Sequence, residues 1–229
     1  MKSLMYKIEI ALLAGLVSFS NGCKKMDDSS VSINKSVSKE QSSENASHYI
    51  ATSAEQIRPL LVGAKVPNVT LRELEGEEIE LYSFIKEKPT VLVFYRGGWC
   101  PYCNTQLGHL KEIEQQVINA GWQIIAISPD RPEKLSETVD KHQMKYVLLS
   151  DSTMNAATQF GIAFKVDDDT IEKYNSYGID LDDASGQSHH MLPVPAVFMV
   201  DTDGKIKFEY ANPDYKIRLD TQTILSKLN

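Results

Sequence analysis

One stretch restricts the fold more than any other: Val91-Leu92-Val93-Phe94-Tyr95-Arg96-Gly97-Gly98-Trp99-Cys100-Pro101-Tyr102-Cys103. A β-branched apolar run of strand type enters two glycines, and a helical apolar pattern begins at about Asn104, with Leu107, Leu110, Ile113 and Val117 on one face. Two thiols therefore sit where a strand hands over to a helix. At a helix N-terminus a sulfur meets unpaired backbone N–H groups and the positive end of the macrodipole, which favour its thiolate. The chain has three cysteines, Cys23, Cys100 and Cys103. A disulfide-stapled scaffold needs more, and Cys100 and Cys103 are too close in sequence to close a long loop. Their use is chemical.

The first 22 residues read as a secretory signal. Lys2 and Lys7 give a weakly basic start, and the apolar run Ile8–Phe19 is too short for a stable membrane-spanning helix. Ser20-Asn21-Gly22-Cys23 resembles the lipobox of bacterial lipoproteins, which implies diacylation of Cys23 and a membrane partner reached through that anchor. Residues 23–52 are mostly Ser, Lys, Glu, Asp and Asn. Such a segment buries too little apolar surface to offset its ordering entropy, so a disordered tether is expected, reaching roughly 25–30 Å. A globular domain is expected over 53–229, since the 42% apolar and 24% charged fractions are those of a protein with an ordinary core. The net charge of −7 and the lack of a basic stripe argue against nucleic acid as a partner.

Within that domain, Ser53-Ala54-Glu55-Gln56 has the form of a capping box ahead of Ile57, Leu60 and Leu61. Residues 66–71 and 78–81 form a small hairpin around Glu75-Gly76-Glu77. Strands are expected at 90–95, 122–128, 146–149, 196–200 and 205–210, and helices at about 104–120, 133–142, 154–160 and 220–228. This alternation argues for βαβ units and an α/β fold. Residues 165–190 read as an insertion, with a helix capped at Asp167-Asp168-Asp169 and a loop over 182–188.

The order of these parts resembles the thioredoxin fold, in the version shared by peroxiredoxins of the alkyl hydroperoxide reductase and thiol-specific antioxidant family. The resemblance rests on the strand ending Val93-Phe94-Tyr95, the thiol-bearing helix start, the strand ending Ile127-Ser128, the run Phe198-Met199-Val200-Asp201-Thr202-Asp203-Gly204, and the final helix. It implies a thioredoxin-like fold: a central mixed sheet with helices on both faces, preceded by the hairpin and interrupted by the 165–190 insertion. It also implies a thiol-dependent oxidoreductase that takes a hydroperoxide or a disulfide as substrate and a thioredoxin-like thiol as electron donor. Catalytic roles then fall to Cys100 and Cys103, with Arg96, Trp99, Val194 and Pro195 supporting them, and no cofactor or metal is required.

Two alignments of the thiols are open. Against thioredoxins, Trp99-Cys100-Pro101-Tyr102-Cys103 makes Cys100 the nucleophile and Cys103 the resolving thiol, and Val194-Pro195 falls at that fold's cis-proline. Against the peroxiredoxin pattern Pro-x-x-x-Thr-x-x-Cys, the peroxidatic position falls on Cys103, the threonine on Cys100, the proline on Arg96, and a supporting arginine on Pro195. Half a zinc site is the alternative use of the pair, but His189 and His190 are adjacent and a shared zinc is awkward. Copper delivery through the thiols and a histidine is a third possibility.

Overall fold

The computed structural model describes residues 49–143 and 145–228. The segment expected to be a secretory signal, Cys23, and the stretch expected to be a tether, up to residue 48, lie outside the described residues. The folded chain starts two residues ahead of the expected boundary: Ala51 is buried and bonds on both sides, its N–H to Ala163 O and its carbonyl to Lys165 N.

Seven strands form the main sheet, in the order β2-β1-β5-β4-β3-β8-β9: β1 (Thr70–Arg72), β2 (Glu78–Glu80), β3 (Thr90–Phe94), β4 (Gln123–Ser128), β5 (Val147–Ser150), β8 (Ala196–Val200) and β9 (Ile206–Ala211). β3 runs parallel to β4 and antiparallel to β8, and β4 parallel to β5, so the sheet is mixed as expected. Every residue of β3 is buried, and its period-two alternation explains how. Leu92 and Phe94 enter one apolar core with Ile125, Ile127, Phe160 and Phe198. Val91, Val93 and Tyr95 enter the other with Cys100, Cys103, Leu107 and Leu110. A strand that is apolar on both faces must be covered on both. The first core is covered by α1 (Leu81–Ile85) and α4 (Asn155–Gln159), the second by α2 (Pro101–Asn119), α3 (Pro132–His142) and α7 (Thr221–Ser226).

Three local expectations change. Ser53 forms no side-chain cap, and only the 3-10 turn Ala54–Gln56 follows it. Pro59 cannot continue a helix, and Arg58 N and Leu60 N bond instead to the carbonyls of Gly161 and Phe160. Residues 81–85 are a helix rather than the end of a strand, because the chain turns inward to bury Leu81 and Ile85. The insertion holds two helices, α5 (Asp168–Ser176) and α6 (Leu181–Ser185), where one helix and a loop were expected. Asp167 does cap α5, accepting from Thr170 N, and Asp180 caps α6 by accepting from the N–H groups of Asp182 and Asp183. The acidic run that reads as loop is therefore a helix start.

Two short strands, β6 (Ala163–Lys165) and β7 (Met191–Pro193), pair antiparallel and close the insertion at its base. Val166, Leu181 and Leu192 form its small core, and Trp99, Ile171 and Tyr174 pack against them. Trp99 thereby belongs to both the thiol-bearing loop and the insertion.

Candidate functional site

Cys100 is the N-cap of α2, Pro101 the first helical residue, and Cys103 the third. Proline suits that first position because its missing N–H has no intrahelical use. N-cap to third position is also the spacing at which an N-cap side chain meets a free backbone N–H. Cys100 closes no cap hydrogen bond of ordinary geometry. The Cys103 thiol and backbone N–H nonetheless face its sulfur and, with Arg96 and Arg218, bring its pKa down to about 6 against the opposing effect of burial. Cys103 moves the opposite way: burial and the neighbouring Cys100 push its thiol well above the ordinary range. Both thiols are free and buried, at 1% and 0% exposure. The two-residue spacing therefore produces one acidic and one basic thiol.

Arg96 follows β3 and is 4% exposed. Its guanidinium lies 4.1 Å from the Tyr215 ring centroid and 5.0 Å from that of Trp99, and it donates to the Tyr174 hydroxyl. Among the described residues it has no carboxylate partner, so its charge is left to favour a nearby thiolate. Aromatic faces hold such a cation without neutralising it. Tyr174 comes from α5, which places the insertion directly against the site.

Two glycines allow the approach of the thiol loop to β4 and α3. Gly97 has φ +142°, and a Cβ there would lie 2.4 Å from Trp99 Nε1 and 2.8 Å from Asp130 Oδ1. A Cβ on Gly98 would lie 2.0 Å from Thr138 Oγ1. The close approach brings Gly98 N–H to Asp130 Oδ2 at 2.7 Å. Asp130 is 1% exposed, and burial raises its pKa to about 7, with the Cys100 charge acting in the same direction.

Val194 and Pro195 are buried, and with Arg96, Tyr174 and Tyr215 they line a cavity of about 440 Å³. The β3–β8 register pairs Phe94 with Ala196, so Pro195 sits level with the end of β3. The expected cis bond is absent: among the described residues no peptide bond is cis. Val194 N bonds to Ile162 O at 2.8 Å, and the chain runs from β7 into β8 in the ordinarily preferred trans form. His189 and His190 do not join the thiols. His189 Nε2 donates to Ser152 O at 2.9 Å while its Nδ1 accepts from Met191 N, and His190 pairs with Asp182 at 3.0 Å. Among the described residues no three His, Cys, Asp or Glu side chains are gathered as a metal site would need, so copper delivery has no support in the geometry.

The sequence over residues 62–209 matches the model of the AhpC/TSA family. The chain belongs to that family. It is 32% identical over 106 residues to the putative peroxiredoxin bcp of Haemophilus influenzae, a match that covers 46% of this chain and 68% of the relative. It is 26% identical over 160 residues to the thiol-disulfide oxidoreductase ResA of Bacillus anthracis, covering 69% and 75% of the two chains. Among solved structures, reduced Prx3 from Vibrio vulnificus in complex with h2o2 superposes with a TM-score of 0.61 at 14% identity, covering 74% of this chain and 96% of that one. That likeness is one of fold.

The structure brings in residues that the sequence did not single out. Arg218, from the segment between β9 and α7, donates from Nη2 to Cys103 Sγ at 3.3 Å. A guanidinium thus does reach a site sulfur, 115 residues away in sequence. Asp130, Tyr174 and Tyr215 join it. Only Asp130 carried a local signal, since it follows the strand end Ile127-Ser128-Pro129, where α/β folds present site residues.

Proposed function

We propose that this AhpC/TSA protein is a thiol-dependent peroxidase in which Cys100 is the nucleophile and Cys103 the resolving thiol. The observation that carries the assignment is the opposed perturbation of the two thiols, one brought to about 6 and the other raised. Near neutral pH only Cys100 is a thiolate. Its sulfur attacks the terminal oxygen of a hydroperoxide, the O–O bond breaks, and the alkoxide or hydroxide leaves with a proton from the medium. Cys100 becomes a sulfenic acid. The Cys103 thiol then gives up its proton and attacks the Cys100 sulfur, and water leaves as the Cys100–Cys103 disulfide forms. Arg218 and the Arg96 backbone N–H favour the Cys103 thiolate during that step.

The 1% exposure of Cys100, and its place beside Arg96, Trp99 and Tyr174, favour a small substrate over a protein disulfide. A second reading is thiol-disulfide exchange on exported proteins. The Trp-Cys-x-x-Cys spacing and the similarity to ResA support it. A thioredoxin-like thiol closes the cycle in either case. We also propose, from the basic start, apolar run and Cys23 of residues 1–25, that the protein is exported and held at a membrane by a lipid anchor. The test of the peroxidase assignment is consumption of hydrogen peroxide and of cumene hydroperoxide by the protein with a thioredoxin system. Consumption above a Cys100→Ser control supports it. Exchange with a model disulfide but no consumption of either peroxide replaces it with the second reading.

A further inference from the structure

Both sulfurs of the site are buried, at 1% and 0% exposure, yet the cycle of the preceding section closes with a thioredoxin-like thiol attacking the disulfide between them. Exchange requires the incoming sulfur to come in line with that bond, down to about 2 Å from the sulfur it attacks. A hydroperoxide is small enough to reach a recessed sulfur, and a folded donor is not. An element over the thiols therefore has to move.

The insertion is built to be that element. From α5, Tyr174 accepts from Arg96, and its ring lies 5.6 Å from that of Trp99, the residue before Cys100. Trp99 also packs on the insertion's own core, Val166, Leu181 and Leu192, which is separate from both main cores. A unit with three buried apolar side chains belongs at the low end of local stability. The chain enters and leaves it at one place, where Val166 N–H donates to His190 O at 2.8 Å, as a hinge requires. Its ionic hold on α3 is Asp183, which meets Arg131 at 2.7 Å and Lys134 at 3.0 Å, and all three side chains are open to water. Exposed pairs of this kind are worth little. Between α6 and the thiol loop lies a cavity of about 250 Å³, lined by Gly98, Trp99, Thr138, Ile179 and Ala184 among others, so the two surfaces do not interlock.

We propose that residues 166–190 are a hinged gate that sets which reactants reach the thiols. Closed, the gate admits a small hydroperoxide and excludes protein thiols. Lifted, it opens the Cys100–Cys103 disulfide to a protein dithiol. The inference rests on the dithiol cycle proposed above. The donor's first thiolate then attacks the Cys100 sulfur, and Cys103 leaves as a thiolate and takes a proton. The donor's second thiol gives up its proton and displaces Cys100, so that the donor ends as a disulfide and this protein gains two electrons. The rate with a protein donor scales with the open fraction, and the rate with a small reductant does not.

Two substitutions move the gate in opposite directions without touching the thiols. Asp183→Lys replaces both ion pairs by repulsion, and Ala184→Leu fills the cavity from the α6 side. Full-length protein is oxidised with diamide and reduced either by thioredoxin or by dithiothreitol, and the thiol state is read by alkylation and mass spectrometry after acid quench. Asp183→Lys should speed thioredoxin about fivefold and Ala184→Leu should slow it by a similar factor, with dithiothreitol within about twofold throughout. Hydrogen exchange of the reduced proteins is the second arm: amides of 172–185 should exchange faster in Asp183→Lys and slower in Ala184→Leu, with those of α2 unchanged. Equal changes for the two reductants, thioredoxin rates that do not follow the exchange of 172–185, or exchange that changes in α2 instead overturns the proposal. Failure of the underlying cycle shows separately, as thiols that diamide does not join into the Cys100–Cys103 disulfide, and the exchange arm still decides whether the gate opens.

Discussion

Replacing Cys103 by alanine should convert Cys100 from an acidic thiol into an ordinary one. The Cys103 side chain is the largest influence holding Cys100 at about 6, and once it is gone burial opposes what remains. The Cys100 midpoint should rise from about 6 toward the ordinary 9.0, held back only by the Cys103 backbone N–H, Arg96 and Arg218; a full return is a change of about three units or roughly 4 kcal/mol. At pH 7 the thiolate fraction then falls from about 90% to about 1%. Reactivity falls less, because a more basic thiolate is intrinsically more nucleophilic. With a Brønsted slope of about 0.4–0.5, three units restore roughly 20-fold, so alkylation slows only about fourfold at pH 7 but about 40-fold at pH 5. Iodoacetamide kinetics from pH 4 to 10, with thiolate absorbance at 240 nm, read both quantities. Cys103→Ser keeps an O–H donor at the same place and should fall between the two. A midpoint near 6 in Cys103→Ala refutes the reasoning and transfers the effect to Arg96 and the helix start.

Other substitutions probe the surroundings. In Asp130→Asn the inflection near pH 7 in Cys100 reactivity, which reflects the repulsion between the two groups, should vanish, leaving a single titration that iodoacetamide rates would show. Asp151 is buried and caps α4 through Ala156 N and Ala157 N, and burial raises its pKa to about 7. The folded chain holds a proton there that the unfolded chain releases near 3.8, so this group lowers stability progressively from about pH 4 to pH 7, by at most about 4 kcal/mol, and no further above that. Urea denaturation should show the stability difference between wild type and Asp151→Asn drifting toward the variant across that window and constant beyond it. Gly98→Ala should cost about 1–3 kcal/mol through the clash with Thr138 Oγ1, and Thr138→Ala in the same chain should recover most of it.

How far the sequence carried the fold depended on the length of each pattern. β3, β4 and β8 are runs buried on both faces, and a stretch such as Ala196–Val200 has no other way to hide its side chains. The thiol helix was equally plain, since Pro101 and the two glycines punctuate it. Short polar segments were harder. Leu181–Ser185 folds as a helix only because Asp180 and Gly186 bracket it, and its composition reads as loop. Ser53–Gln56 failed the other way, because the backbone of residues 58 and 60 found partners at Phe160 and Gly161 that no local pattern announces. At the site the cysteines and Arg96 were visible, being adjacent in sequence. Arg218, Tyr215 and Tyr174 were not, because each reaches the thiols through tertiary packing from a separate part of the chain. The cis form expected at Pro195 came from the family resemblance, and among the described residues no peptide bond is cis.

The assignment of Cys100 as nucleophile is tested most directly by trapping. Cys103→Ser and Cys100→Ser variants are treated with one equivalent of hydrogen peroxide in the presence of dimedone, and the labelled residue is identified by peptide mass spectrometry. The account predicts dimedone on Cys100 in Cys103→Ser, little or no label in Cys100→Ser, and an unlabelled internal disulfide in the wild type. Fast labelling of Cys103 in Cys100→Ser, with Cys100 unlabelled in the other variant, would contradict it.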